Sequence, residues 1–440
     1  NYAVEAQEFS WNNRLSQANT INRNILLVFS GSDWCAPCKR FEKEILSDTS
    51  FIQWSKDLLY VHKADFPQRI KQEKALVKEN EFLAEKYNPN GRFPRIILLN
   101  PNGILIGIIE YENQRKDDFI SELKLLLHEN SDNKLYQRTF PAMGSFFEIS
   151  IVEKKAASAK VYSILDSCVA EVYRIENLLS EWIENSDISL INKNAGLEPV
   201  YIDPELYSFI ENCIKFSDLT QGAFDLTYNT IGLLWDFKNE DSRPPDSIMI
   251  SKAIEITGYN QIIMLKDNQV YLPHKGMRLG TGGIGQGYAV ESLKMLLLRQ
   301  GFNDFVINSS GDIYANGHNE NNDPWRIGIA DSINKDMIIR WLNLINTSLV
   351  TSGNYENYFE YEGKRYAHII DPKTGYPVQG IASVSIISPN AFLNDALSTG
   401  IFVMGIESGL YLVNQLPEVE CIIVDEKGLL FFSNGLNDLK

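Results

Sequence analysis

Residues Ile25–Leu46 read ILLVFSGSDWCAPCKRFEKEIL. The apolar run Ile25–Ser30 predicts a buried strand, and the residues from the cysteine pair to about Leu46 predict a helix that starts directly after a tight turn. That order places Cys35 at a helix N-terminus, where free backbone N–H groups and the positive end of the helix dipole stabilise a thiolate. Cys35 is therefore the expected attacking sulfur. Cys38, one turn later, is close enough to resolve a mixed disulfide, and Pro37 restrains the loop between them. The same spacing also fits half of a zinc site or a reduced pair that only packs. A zinc site needs further ligands, and this segment offers only His62 and His128.

Working outward, an amphipathic stretch (Phe9 to Asn22) precedes the strand, and the pattern after the first helix predicts a strand (Leu58 to Ala64) and a long helix (Gln68 to Tyr87). Two strands around the turn Asn100-Pro101-Asn102-Gly103 and a helix (Arg115 to Leu127) follow, so the segment reads as βαβ and then ββα. A polar stretch, His128 to Lys134, predicts a linker between a domain of residues 1–130 and a second of residues 135–440. The second segment predicts a strand from Leu135 to Val152, helices at Ala156 to Leu179 and Pro204 to Leu219, and a helix running from a glycine-dense turn to about Gln300. Strand pairs through Phe305 to Ile313 and Trp325 to Ile329, a strand at Ser383 to Ile387 and a helix from about Ala391 complete an α/β or α+β pattern without internal repeat.

Composition bounds the class. A 440-residue chain with 44% hydrophobic and 22% charged residues has material for two ordinary cores. Its 41 basic and 57 acidic residues leave a net charge of −16, which repels a phosphate backbone over most of the surface and disfavours nucleic acid as a partner. No apolar run reaches the roughly 18 residues of a membrane-spanning helix. The chain starts without Met, which suggests a trimmed export leader or lipid anchor and an extracytoplasmic location. Of the five cysteines, Cys168, Cys213 and Cys421 stand singly among apolar residues, and only the CxxC pair looks chemical.

The run Gly280-Thr281-Gly282-Gly283-Ile284-Gly285-Gln286-Gly287 brings bare backbone close to a neighbour and then opens a helix, an arrangement that suits a pyrophosphate or serves simply as a tight connection. In SPNAFLNDALSTGIFVMG, Asp395 and Thr399 are four apart, so on a helix their oxygens share a face and could hold a hard cation with carbonyl and phosphate oxygens. A carboxylate among apolar neighbours needs such compensation. The plainer reading is an Asp capping a helix start beside a solvated Thr.

Two resemblances follow from these residues. The segment GSDWCAPCKRFEKEIL with the later Phe93-Pro94 resembles the thioredoxin family over about residues 5 to 130, which implies a cis proline beside the reactive pair and thiol–disulfide redox chemistry with a thiol partner. The strings PAMGSFFEI (from Pro141), QGAFDLTYNTIGLLWDF (from Gln221), the glycine turn, TSGNYENYFEYEGKRYAHIIDPKTGYPV (from Thr351) and the NDALST helix resemble, in order, the motifs of the FAD:protein FMN transferase (ApbE-like) family over about residues 135 to 440. This second likeness implies cleavage of FAD with Mg²⁺, transfer of FMN to a Thr or Ser hydroxyl of an exported acceptor protein, and release of AMP. By position it implies Asp395, Thr399 and the Gly283 carbonyl as metal ligands, with Ser398 nearby. Met143, Trp182, Ala223, Phe224, Asp225, Gln286 and Ile370 match positions that line the flavin nucleotide. His368 is the candidate for activating the hydroxyl, a hydrogen bond to Asp371 being its structural alternative.

The chain departs from the second family's pattern at Gly280, where an aspartate is common, at Gln286, where a Lys or Glu is common, and at Trp182, often a tyrosine. Two further functions compete: a thiol–disulfide oxidoreductase whose C-terminal domain binds FAD as a prosthetic group, and a module that stores or hydrolyses FAD without an acceptor.

Overall fold

The computed structural model describes residues 11, 15, 18, 23–56, 58–129, 133–239, 241–330, 338–355 and 357–439. The chain divides into two compact units, Asn1–Asp132 and Asn133–Lys440. Of the amphipathic stretch, only Trp11, Leu15 and Ala18 are described, and Trp11 and Ala18 are buried with Ile25, Leu27 and Phe29. The middle of the expected linker, residues 130–132, lies outside the described residues.

In the first unit, Asn24–Ser30 (β1), Leu59–Asp65 (β2), Arg95–Leu99 (β3) and Leu105–Ile109 (β4) form a sheet in the order β2-β1-β3-β4. β1 runs parallel to β2 and antiparallel to β3, and β3 to β4 is antiparallel. β1 is buried on both faces: Leu26 and Val28 pack with Phe41 and Phe119, while Ile25, Leu27 and Phe29 pack with Leu83. That accounts for its unbroken apolar run. The helix after the cysteines starts as α1 (Ala36–Phe41) and passes into one π turn, Glu42–Leu46.

A short helix not foreseen in the sequence, Thr49–Ser55 (α2), is capped by Asp48, whose carboxylate accepts from Ser50 and Phe51 N–H. The long helix α3 begins at Lys74 rather than Gln68. The reason is local: the Asp33 carboxylate accepts the backbone N–H groups of Gln68, Arg69 and Ile70, which holds that stretch as a loop. Helix α4 (Lys116–Glu129) closes the unit.

The second unit is built on an antiparallel eight-stranded sheet. Its edge is a hairpin, Asn133–Ala142 (β5) and Ser145–Lys154 (β6), where the sequence suggested one long strand. The turn is Met143-Gly144, with φ of 52° and 73°. Positive φ at both positions is the two-residue hairpin geometry that matches strand twist, and a methionine there conceals it from sequence reading.

Helices Ser158–Leu179 (α5), Asp187–Lys193 (α6) and Pro204–Leu219 (α7) follow, with the short strand Val200–Tyr201 (β7) before α7. Then come Asn229–Gly232 (α8), Ser247–Glu255 (α9), Ile263–Leu265 (β8), Gln269–Tyr271 (β9) and Gly285–Arg299 (α10). The strand pair expected through Phe305 to Ile313 is the hairpin Phe305–Ser309 (β10) and Asp312–Asn316 (β11). Trp325–Ala330 (β12) pairs Ile338–Leu344 (β13), and Tyr358–Tyr361 (β15) pairs Lys364–Ala367 (β16). The main sheet is completed by Thr347–Gly353 (β14), Ile381–Ser388 (β17), Glu420–Asp425 (β18) and Leu430–Phe432 (β19), in the order β19-β18-β17-β14-β11-β10-β6-β5. Helices α11 (Ala391–Met404) and α12 (Ile406–Val413) lie between β17 and β18 in the chain. The core joins β6, β10, α5, α7, α10 and the start of α11 through Phe147, Phe209, Phe305 and Phe392.

Candidate functional sites

In the first unit, Cys35 and Cys38 form a disulfide, and both are buried. Cys35 is the N-cap of α1, its Sγ accepting from Cys38 N–H at 3.2 Å. The cysteine motif is tied to its surroundings on both sides. Trp34 Nε1 donates to Phe66 O at 2.7 Å, and its ring meets Phe93 edge-on, with the Phe93-Pro94 peptide cis. A cavity of about 300 Å³ opens beside Cys38, lined by Ser30, Ser32, Lys39, Lys43, Ser47 and the ion pair Lys63–Glu42 at 2.7 Å. His62 lies against Trp11 and Glu79. Cys168, Cys213 and Cys421 are buried free thiols, and burial pushes Cys168 and Cys421 up to about 12, which leaves them unreactive.

In the second unit, α11 is capped by Asn390, whose side chain accepts from Leu393 N–H, so Asp395 is not the cap of its own helix. Instead its Oδ2 accepts the Gly287 N–H of α10 at 2.9 Å. Gly287 is the third residue of α10, a helix whose own N-cap, Ile284, supplies no side-chain bond. The Asp395 carboxylate thus caps a helix from a segment 108 residues away, and meets the positive end of that helix.

The close approach requires glycine: a Cβ at position 287 would lie 2.5 Å from Asp395 Cβ and 2.7 Å from Ala391 O. Burial pushes the Asp395 carboxyl up to about 7, with the Gly287 N–H pulling it back. Beside it, Ser398 Oγ donates to Asp395 O at 2.9 Å and meets Ser352 Oγ of β14 at 2.8 Å, and Ser352 Oγ meets Thr399 Oγ1 at 3.4 Å. One carboxylate, hydroxyls and the backbone carbonyls of the neighbouring turn are hard oxygen donors suited to Mg²⁺. Among the described residues no group of three or more His, Cys, Asp or Glu gathers at one point, so a cation here would depend on hydroxyl, carbonyl and substrate oxygens.

The glycine turn ahead of α10 is pinned by hydrogen bonds to four other segments. Asn192, buried on α6, makes paired bonds to Leu279 N and O at 2.7 and 3.0 Å. Thr230 Oγ1 accepts from Arg278 N at 2.9 Å, Thr281 Oγ1 donates to Leu179 O at 2.7 Å, and Gly280 N donates to Leu226 O at 2.8 Å. A Cβ at Gly280 would lie 2.6 Å from Asn229 Cβ and 3.0 Å from the Tyr228 ring, so a larger residue has no room there. The nearby carboxyl comes from Glu181, whose Oε2 accepts from Asn229 Nδ2 at 2.8 Å. Burial pushes Glu181 up to about 7, opposed by Arg278 and the Thr281 N–H.

A cleft of about 180 Å³ lies along this turn, bounded by Met143, Glu176, Glu181, Trp182, Thr281 and Gln286. It brings together three residues of the expected flavin-lining set: Met143, Trp182 and Gln286. The hairpin turn is held in it by Met143 N–H donating to Glu176 Oε1 at 2.7 Å, while Trp182 is 81% exposed, leaving its indole faces open for stacking.

Ala223, Phe224 and Asp225 follow α7. Phe224 N donates to Thr220 Oγ1 at 3.1 Å, and Thr220 and Phe224 press on Gly400 of α11, next to Thr399. Asp225 is buried and satisfied by Thr227 N and Oγ1 and by Tyr259 N, so its carboxylate organises the loop; burial raises its pKa against those bonds.

His368 and Ile370 sit on a loop closed by the Ile370–Pro377 bridge and by Gly375 N donating to Asp371 O at 2.8 Å. The Asp371 carboxylate accepts from Lys373 N, the turn expected for DPKTG. This loop is backed by Trp235, which donates to Gly375 O at 3.2 Å and stacks near Phe237, Phe359 and Tyr366. Glu176, Glu181, Asn192, Asn229, Thr230 and Ser352 escaped the sequence reading. For Asn192 a signal existed: a polar residue on the same face as Ile188 in a short amphipathic helix.

Comparison with known proteins finds relatives for both units. A profile described as the ApbE family matches residues 143–423, and one described as a thioredoxin-like domain matches residues 11–124. A Treponema pallidum protein named FAD:protein FMN transferase is 28% identical, over 69% of this chain and 88% of its own length. One from Klebsiella pneumoniae with the same name is 29% identical over 64% and 83%. Among solved structures, the ApbE protein of Thermotoga maritima is 32% identical with a TM-score of 0.63, covering 69% of this chain and 98% of that one. The flavinyl transferase ApbE of Pseudomonas stutzeri is 26% identical with a TM-score of 0.63, covering 70% and 98%.

Proposed function

The chain belongs to the ApbE family and carries a thioredoxin-like domain at its N-terminus, and from that premise we propose that it is an Mg²⁺-dependent transferase that cleaves FAD and attaches FMN to a Thr or Ser hydroxyl of an acceptor protein, releasing AMP. The observation that carries this reading is the Asp395 carboxylate, buried in α11 and held on the N-terminus of α10 directly after the glycine turn.

In this reading the turn and the α10 N-terminus hold the pyrophosphate through backbone N–H groups, and Trp182 and Met143 bracket the flavin in the cleft. Asp395, Thr399 and the Gly283 carbonyl would hold the cation. Gly287 N–H donates to Asp395, so it does not occupy the Gly283 carbonyl four residues back, whose lone pairs could serve as a ligand. Mg²⁺ held there would supply positive charge to the pyrophosphate oxygens. Ser398, with its proton committed to Asp395 O, supports these ligands from behind. His368 accepts the acceptor hydroxyl's proton, which a neutral imidazole can do near pH 7.

The first unit supplies thiol–disulfide chemistry through Cys35 and Cys38 to a separate redox partner, and both activities belong to an extracytoplasmic, possible-disulfide environment in which exported flavoproteins mature. Incubation with FAD, Mg²⁺ and candidate acceptors, followed by weighing the acceptors, tests the proposal. An acceptor heavier by one FMN moiety, with AMP in equal amount, is the expected outcome. FAD consumption with no acceptor gaining mass would overturn the transferase reading.

A further inference from the structure

Three hydroxyls stand in line behind the proposed cation site, and proton counting gives the line a direction. Each hydroxyl has one proton. Ser398 Oγ lies 2.9 Å from the carbonyl oxygen of Asp395, which can only accept, so the Ser398 proton is spent there. The contact between Ser352 and Ser398 at 2.8 Å must then use the Ser352 proton. With that proton gone, Ser352 can only accept from Thr399 Oγ1, at 3.4 Å. The sequence Thr399 to Ser352 to Ser398 to Asp395 O is therefore the one arrangement in which all three contacts are hydrogen bonds.

We propose that Ser352 is a positioning residue for the cation: by taking the Thr399 proton, it leaves the Thr399 oxygen facing the site with lone pairs only. A helical threonine is otherwise free to send its proton to the carbonyl one turn back, a rotamer that points its oxygen elsewhere. Ser352 comes from β14, an interior strand of the main sheet between β11 and β17, so its position is set by the sheet rather than by α11. Nothing in its local sequence, TSGNY, indicates a link to a helix 46 residues later. Partners behind a metal ligand that fix its orientation commonly change affinity by about 10–100-fold when removed.

The inference rests on the cation site proposed above, and its test separates the two. Mn²⁺ is titrated into the full chain, with and without FAD, and free ion is followed by electron paramagnetic resonance. Wild-type binding that disappears in Asp395→Ala establishes the site; equal binding by both would overturn the site itself. Given the site, Ser352→Ala should weaken Mn²⁺ binding about 10-fold, and Ser352→Thr, which restores a hydroxyl, should return it to within about 2-fold. In a Thr399→Val background, Ser352→Ala should add nothing, because its only route to the cation has gone. Additive losses would make Ser352 a ligand in its own right, and an unchanged affinity in Ser352→Ala would make the hydroxyl line a packing feature; either result overturns the proposal. Circular dichroism of each variant confirms that the fold persists.

Discussion

Two helix N-termini carry the proposed chemistry, and they are assembled in opposite ways. α1 is capped by Cys35, the residue immediately before it, so reactive atom and dipole are joined by one peptide bond. α10 has no cap of its own and borrows Asp395 from α11, 108 residues away. The buried groups also differ in what they demand. A disulfide is neutral and can be buried without compensation, whereas a carboxylate at Asp395 must be protonated, hydrogen-bonded or paired with a cation. The local site can therefore stand by itself, while the assembled one depends on packing and on its ligand.

The largest effect expected from that difference is in Asp395→Ala. It removes the only formal negative charge among the proposed ligands, and should lower FMN transfer by about 10³-fold or more, since a cation contributes several kcal/mol of charge stabilisation. The disulfide in the same variant should still reduce and reoxidise as in the wild type. Quantifying AMP release and thiol titration side by side checks both halves, and full turnover at limiting Mg²⁺ would remove Asp395 from the site.

Next comes His368, which belongs to neither helix terminus. His368→Ala should keep FAD and Mg²⁺ binding in calorimetry while lowering transfer about 10²-fold, the scale of a lost general base. Near-normal transfer, read from the mass of the acceptor, would leave His368 with a structural role.

Gly287→Ala tests whether the borrowed cap is a matter of fit. Its Cβ would meet Asp395 Cβ and Ala391 O inside contact distance, so it should cost about 1–3 kcal/mol in chemical denaturation. A Gly287→Ala protein as stable as wild type would mean that α10 and α11 can separate freely.

A pH series sharpens the contrast further. Asp395 and Glu181 both rise to about 7 in the folded protein through burial, from ordinary values of 3.8 and 4.5. Over that interval the folded state holds protons that the unfolded chain has released, so stability of the second unit falls as pH rises from about 4 to 7 and levels off above. Hydrogen exchange in α10 and α11 of the whole chain should show this loss. Glu181→Gln should reduce it, and Mg²⁺ should stabilise the unit more at pH 8 than at pH 5.5. In the first unit, Asp48 moves the opposite way, held well below the usual carboxylate range by Ser50 and Lys116, and its stabilising contribution is lost only on acidification.

The smallest effect expected is none. Cys35→Ser with Cys38→Ser should leave flavin transfer to a purified, reduced acceptor within about 2-fold, because the proposed transfer chemistry lies within the second compact unit and uses no thiol. Loss of transfer would show that the thiols enter the same chemistry.

Legibility in the sequence follows the same division. The β1 strand, the α1 start, the α5 and α7 helices and the α10 and α11 segments were readable because each rests on a run of contiguous residues with one periodicity. The hairpin at Met143-Gly144 reads as a single strand, since Met143 adopts positive φ, a conformation that its residue type does not advertise. The loop Gln68–Ile70 was read as helix because the group that unwinds it, the Asp33 carboxylate, lies more than thirty residues earlier.

By itself the sequence determined that the chain has an α/β unit followed by an α+β one, that Cys35 heads a helix, and that Asp395 and Thr399 share a helical face; each of these is a statement about neighbours within a few residues. Only the tertiary structure decided that Asp395 caps α10 and not α11, that Gly280 is enforced by Asn229 and Tyr228, that Glu181 brings a carboxyl to that turn, and that Ser352 stands behind Thr399. The physical reason is that periodicity encodes which face of an element is buried, but hydrogen bonds between elements depend on how those faces meet, and that is set by packing across the whole core.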